Sequence, residues 1–245
     1  PPYSSAASDV YKRQDEKGDA PVFKAVKKAE SILYKNEKSK SYKTPAGNSE
    51  YCKNILDLVL GKDILSERKD KVGAIQIPGA GSGLRIAGEL IKNNVQNRLI
   101  SIPDPTWGQQ PFMFEKAGLK ISKHSYYNEQ NNFLDFDNMI NDLNKLKSGD
   151  SLLLHGCCHN PTGADLSLEQ WEQVANICLK KGILPFIDLV YQGLGKSIID
   201  DVLGIRKLVQ IVPEVIITVS SSKTFGVYSC LLYTSDAADE YGGGG

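Results

Sequence analysis

Apolar residues recur along this chain with two alternating habits. Short, nearly uninterrupted apolar runs stand at 72–77, 98–102, 119–124, 151–154, 183–187 and 215–219, with the length of buried β-strands. Between them, apolar positions return at helical spacing. One stripe is Val22, Val26, Ala29 and Leu33, others fall within 51–60 and 84–91, and the clearest is Leu168, Trp171, Val174, Ala175 and Cys178. Strands alternating with helices predict an α/β fold whose sheet is mostly parallel and flanked by helices. The lysine-rich segment 15–40 reads as one amphipathic helix with a solvated basic face. Residues 41–49 read as a polar loop, and Asp165 and Ser167, with Glu169 behind, as the capped start of the helix that carries Trp171.

Most of these runs end in polar residues. They are Gly79-Ala80-Gly81-Ser82-Gly83, then Asp104-Pro105-Thr106-Trp107, then His155 to His159 with the breaker turn Asn160-Pro161-Thr162-Gly163, then Asp188 with Tyr191, then Ser220-Ser221-Ser222-Lys223. Ligands of open α/β sheets bind beyond the carboxyl ends of the strands. Five segments far apart in sequence therefore predict one pocket.

Composition narrows the choices. At 245 residues and 41% hydrophobic content the chain can bury a core, and its 29 basic residues equal its 29 acidic ones. No net field argues for nucleic acid or an anionic membrane. Five cysteines, two of them adjacent, form no disulfide framework, and no membrane-length apolar run appears, so a reducing cytoplasm is expected. Residues 1–14 and 230–245 read as non-native segments derived from sequencing adapters, leaving 15–43 as an N-terminal helix and loop and 44–229 as the main domain.

Each candidate group admits more than one reading. The glycine loop opens a helix, so its N–H groups suit a nucleotide phosphate, another phosphate, or simply a tight turn. Asp104, about twenty residues on, stands where a ribose-binding acid is expected in a dinucleotide fold. Trp107 could stack on a flat ring or cover the edge of the core. His155, Cys157, Cys158 and His159 invite a metal, but adjacent cysteines in an extended segment point to opposite sides, which favours buried thiols and no metal. Asp188 ends an apolar strand, where a desolvated carboxylate needs a partner, or else it caps a helix. Lys223, at the end of VIITVSSSK, is either a loop lysine or an amine nucleophile able to form Schiff bases.

Taken together and in this order, HGCCHNPTG at 155–163, DLVYQG at 188–193 and SSSKTFG at 220–226, with the glycine loop and Trp107, resemble the fold type I pyridoxal-phosphate aminotransferases, in particular the aspartate and aromatic amino-acid aminotransferases. The resemblance covers about 18–228. It implies the large domain of a cytoplasmic, homodimeric transaminase that moves an amino group from aspartate or an aromatic amino acid to 2-oxoglutarate. Lys223 would carry the coenzyme as a Schiff base and shuttle protons, and Asp188 would pair with the pyridine nitrogen. Asn160 and Tyr191 would bond the phenolate oxygen, and Trp107 would stack on the ring. Ala80, Gly81, Ser82 and Ser220 would hold the phosphate, Tyr42 would reach the phosphate of the partner subunit, and His155 would stand behind Asp188.

The sequence also departs from the family pattern. The family loop commonly reads Pro-Gly-Gly-Ser/Thr-Gly-Ala-Leu-Arg, whereas Pro78 to Arg85 reads PGAGSGLR, which displaces the hydroxyl by one position. Gln110 occupies a place where these enzymes often carry a histidine. The expected phosphate-binding arginine falls at Leu231, and the substrate-carboxylate arginines have no counterpart, so the C-terminal small domain is expected to be missing and the fragment inactive. Two alternatives stand beside this reading: an NAD(P)-dependent Rossmann-like oxidoreductase built on the glycine loop and Asp104, and a catalytically dead fragment that still binds the coenzyme.

Overall fold

The computed structural model of the chain describes residues 22–39, 41, 44–95 and 97–227. The chain divides into two compact units, one spanning 43–220 and the other comprising 1–42 with 221–245. Among the described residues, the second unit holds helix α1 (Lys24–Asn36), none of whose residues is buried, and the short α8 (Ser221–Phe225). The stripe expected on α1 is present, but Leu33 is 62% exposed.

The larger unit is built on a five-stranded sheet. Its strands are β1 (Leu99–Asp104), β2 (Lys120–Ser125), β5 (Ser151–His155), β6 (Leu184–Leu189) and β7 (Ile216–Val219), in the order β2-β1-β5-β6-β7. Every neighbouring pair is parallel. All five carboxyl ends therefore lie along one edge. From β1 the chain first steps outward to β2, then crosses back to β5 and continues the other way, so the switch point lies between β1 and β5. Ligands of open α/β sheets bind in the crevice at such a point.

Central parallel strands are covered on both faces, which is why the middle of β5, Leu152 to Leu154, is apolar without a break. Alternate side chains take opposite sides. Leu153 joins Ile100, Ile102 and Phe186 against Leu84, Ala87 and Ile91 of α3 (Gly79–Asn94) and Phe114 of α4 (Gln109–Ala117). Leu152, Leu154 and Ile187 belong to the larger cluster on the other face. That cluster draws on α2 (Ser49–Glu67), α5 (Phe136–Leu143), α6 (Leu168–Lys181) and α7 (Leu203–Ile211). Trp171 and Val174 of α6 are among its members. No helix among the described residues is long and apolar enough to cross a membrane.

Three expectations change. Residues 72–77 join no strand ladder among the described residues; half-buried and exposed positions alternate over 72–75 as in a strand, but the Gln76 N–H turns back to the Ala46 carbonyl at 2.9 Å. The polar stretch after β2 contains an unexpected two-residue ladder, β3 (Tyr127–Asn128) against β4 (Phe133–Leu134). The α6 cap is a box formed by Ser167 and Gln170. Asp165 serves elsewhere.

Candidate active site

The segments that end β1, β5 and β6 meet at the switch point through a line of buried polar groups. His155, the last residue of β5, accepts the Asn160 N–H on Nδ1 at 3.2 Å. A ring nitrogen that accepts carries no proton, so the imidazole proton resides on Nε2. Nε2 lies 3.0 Å from Oε1 of Gln110. The amide of Gln110 then donates through Nε2 to Oδ2 of Asp188 at 2.7 Å. Thr218 of β7 donates to Oδ1 of Asp188 at a longer 3.4 Å and shares its hydroxyl with the Ile187 carbonyl. Thr106, in the turn after β1, donates to the same Gln110 oxygen. Asp188 and Gln110 are buried, so neutral donors from two different elements hold this carboxylate out of water.

The turn that presents Asn160 is itself tied down. Asp165 accepts the backbone N–H groups of Cys158 at 2.8 Å and His159 at 3.0 Å. The His159 ring stacks on His155 at 4.4 Å and on Tyr126 at 3.9 Å, and its Nδ1 meets the Thr162 hydroxyl at 2.9 Å. Burial lowers the pKa of His155 to about 4 and that of His159 to about 2, the latter also through repulsion from His155 and His124. Both rings are neutral at pH 7. Cys157 is buried and Cys158 half-buried; the hydrogen bond between the two thiols pushes Cys157 up and Cys158 down. Among the described residues no three ligating side chains gather into a metal site.

Beyond β6, Tyr191 is half-buried, and the loop after it is shaped by a residue that sequence reading missed. The buried carboxylate of Asp201 gathers the N–H groups of Gly193, Gly195, Lys196 and Ser197 at 2.7–3.4 Å. At the other side of the site, α3 starts at Gly79 with φ 77° and has no side-chain cap. The backbone N–H groups of its first turn, at Ala80, Gly81 and Ser82, are therefore left for an anion, and the helix dipole favours one. A Cβ on Gly83 would stand 2.7 Å from Ile77 and 3.3 Å from Thr218, so glycine there lets α3 lie close to β7. Trp107 is half-buried against the cluster containing Leu84 and Phe114.

Ser220, just past β7, is buried and donates its N–H to the Leu189 carbonyl at 3.0 Å. The structure thus draws Trp107, His155, Asn160, Asp188, Tyr191 and Ser220 to one edge of the sheet. Lys223 lies on α8, three residues on along the chain, and belongs to the other unit. Tyr42 lies outside the described residues, as do Leu231 and the segments 1–14 and 230–245.

A parallel sheet of this order, with a glycine-opened helix and a buried aspartate at the carboxyl end of β6, has the fold type I aminotransferase architecture. The chain belongs to the aminotransferase class I and II family, whose sequence model matches residues 8–241. It is 37% identical over 233 residues to the aspartate aminotransferase of Escherichia coli K12, a match covering 93% of this chain and 58% of that protein. A solved aromatic amino acid aminotransferase bound to 3-indolepropionic acid superposes with a TM-score of 0.84 at 38% identity, over 88% of this chain and 55% of that one. An aromatic-amino-acid aminotransferase from Burkholderia pseudomallei, covalently bound to pyridoxal phosphate, gives 0.84 at 30% identity, over 89% and 54%. The chain spans a little over half the length of these relatives.

These matches do not support the oxidoreductase alternative. Asp104, its proposed ribose ligand, is exposed and paired with Lys123 at 3.0 Å.

Proposed function

We propose that this chain carries the pyridoxal-phosphate site of an aminotransferase that moves an amino group from aspartate or an aromatic amino acid to 2-oxoglutarate, working as a homodimer in the cytoplasm. The observation that carries the reading is the buried Asp188, held by the amide of Gln110 and the hydroxyl of Thr218. A carboxylate so placed suits a protonated ring nitrogen, because desolvation strengthens its attraction to a cation. The uncapped start of α3 suits a phosphate. The donor set fits the coenzyme.

Bound pyridoxal phosphate supplies an aldehyde and an electron sink. The protein residues divide the remaining work. Asp188 would hold the ring nitrogen in its protonated form. Asn160 and Tyr191 would donate to the phenolate oxygen, and the indole of Trp107 would stack on the ring. The first-turn N–H groups of Ala80, Gly81 and Ser82, with Ser220, would hold the phosphate, and Tyr42 would be the residue offered to the phosphate of the partner subunit. His155 supports Asp188 from behind. Lys223 would supply the amine that holds the coenzyme's aldehyde and the base that moves the proton at the substrate α-carbon.

The test is to add pyridoxal phosphate to the purified chain and to its Lys223→Ala variant and to record absorbance. A pH-dependent visible band in the first and none in the second is the expected result. A band in both, or in neither, would overturn the assignment, and binding of NAD in its place would restore the oxidoreductase reading.

A further inference from the structure

We infer that Gln110 is a positioning residue that locks the tautomer of His155 to the rotation of the Asp188 carboxylate, so that the segments ending β1, β5 and β6 are set as one unit. The tautomer lock stands on the geometry alone; its consequence for coenzyme binding rests on the function proposed above.

A carboxamide has a direction: its oxygen only accepts and its nitrogen only donates. Here Oε1 faces two donors, the Thr106 hydroxyl and the His155 Nε2–H, while Nε2 faces an acceptor on Asp188. Turning the amide over would set oxygen against carboxylate and N–H against N–H. Asp188 therefore fixes the amide, and the amide requires a proton on Nε2 of His155. The other ring nitrogen is fixed from the opposite side by the Asn160 N–H. Every bond in the line has one permitted sense, running from the Asn160 backbone to the carboxylate.

The same residue ties in the Trp107 turn. The backbone N–H of Gln110 bonds the Trp107 carbonyl at 3.0 Å, and its side chain is fully buried. Through one amide, the turn carrying the indole, the turn carrying Asn160 and the carboxylate of β6 share a single arrangement. An amide also has no charge to gain or lose, so this coupling does not depend on its own protonation.

The experiment uses the full chain labelled with 15N-histidine. It contains only three histidines, and the ring signals of His155 are assigned by their loss in His155→Gln. Expected in the unsubstituted chain is one His155 tautomer, protonated on Nε2. In Gln110→Met the Asn160 N–H alone is left to hold the ring, so the Nε2 proton should exchange faster with water and a minor Nδ1-protonated tautomer should become detectable. The affinity for pyridoxal phosphate should also fall about tenfold, as for loss of one hydrogen bond to a charged group. Should Gln110→Met fail to fold, Gln110→Asn gives the same reading, because its amide is one methylene too short to span both partners. A His155 ring pattern unchanged by either substitution overturns the inference. Failure of the unsubstituted chain to bind the coenzyme would instead count against the proposed function, with the tautomer lock still judged by the histidine spectrum.

Discussion

Two aspartates close parallel strands of one sheet, Asp104 at the end of β1 and Asp188 near the end of β6, and their surroundings differ in kind. Asp104 is exposed and meets Lys123 across β1 and β2, both side chains more than half in water. Asp188 is buried and is held by an amide and a hydroxyl from other elements. A carboxylate that can reach water is satisfied wherever it stands. A buried one persists only where its surroundings are arranged for it. The second therefore marks a site, and the first marks an exposed strand end.

The sharpest break of this comparison is to remove each carboxylate in turn. Asp188→Ala leaves the buried Gln110 N–H without its acceptor, a loss of about 1–3 kcal/mol in stability. On the proposed function it also removes the partner of a buried cation, and the pyridoxal-phosphate dissociation constant should rise by about 100-fold or more. Asp104→Ala should leave that constant within about twofold, as for an exposed pair. Titration of both variants with the coenzyme decides it. Equal effects would erase the distinction between the two strand ends.

The next prediction concerns pH. Burial lowers His155 from 6.5 to about 4, His124 to about 3 and His159 to about 2. The unfolded chain takes up protons at these rings near pH 6.5, whereas the folded chain does not until far lower. Stability is therefore complete above pH 6.5 and falls as pH drops from there toward 4, by up to about 1.4 kcal/mol per pH unit for each histidine. Urea midpoints should be level between pH 7 and 8 and decline steadily below 6.5. A midpoint unchanged down to pH 5 would mean that these rings are solvated, and the buried strand ends would then resemble the exposed end at Asp104.

The centre of the sheet was largely legible from the chain. Leu152 to Leu154 and Phe186 to Ile187 announce themselves because strands covered on both faces must be apolar throughout, and a lone carboxylate after such a run, Asp188, is conspicuous for the same reason. The run at 72–77 misled because a strand is defined by a neighbour, which periodicity along one chain does not contain. Asp165 stands two residues before Ser167 and looks like part of a cap; its actual partners, the N–H groups of Cys158 and His159, appear only when the turn closes back on itself. The bond from Gln110 to Asp188 spans 78 residues. Nothing in the local sequence around either residue signals it, although the departure from the family histidine singled out the position. Asp201 gave no signal at all, since the four N–H groups it collects come from a glycine-rich loop that reads as plain solvent-facing chain.

The smallest expected effect lies at the exposed strand end itself. Lys123 and Asp104 line a cavity of about 300 Å³ together with His124, Ser125, Tyr127, Asp135 and Asp142. In that group Asp142 already has Lys145 at 2.7 Å and the hydroxyl and N–H of Ser125. Removing Lys123 leaves Asp104 facing the other carboxylates across water, so the cost is the modest one of an exposed pair, about 0.2–1 kcal/mol. Salt screens such interactions. Lys123→Ala should therefore lower the urea midpoint slightly at low ionic strength, return to the parent value at high salt, and leave coenzyme affinity unchanged. A larger loss that survives high salt would show that Asp104, like Asp188, belongs to a network that excludes water, and that the two ends of the sheet are built by the same rule.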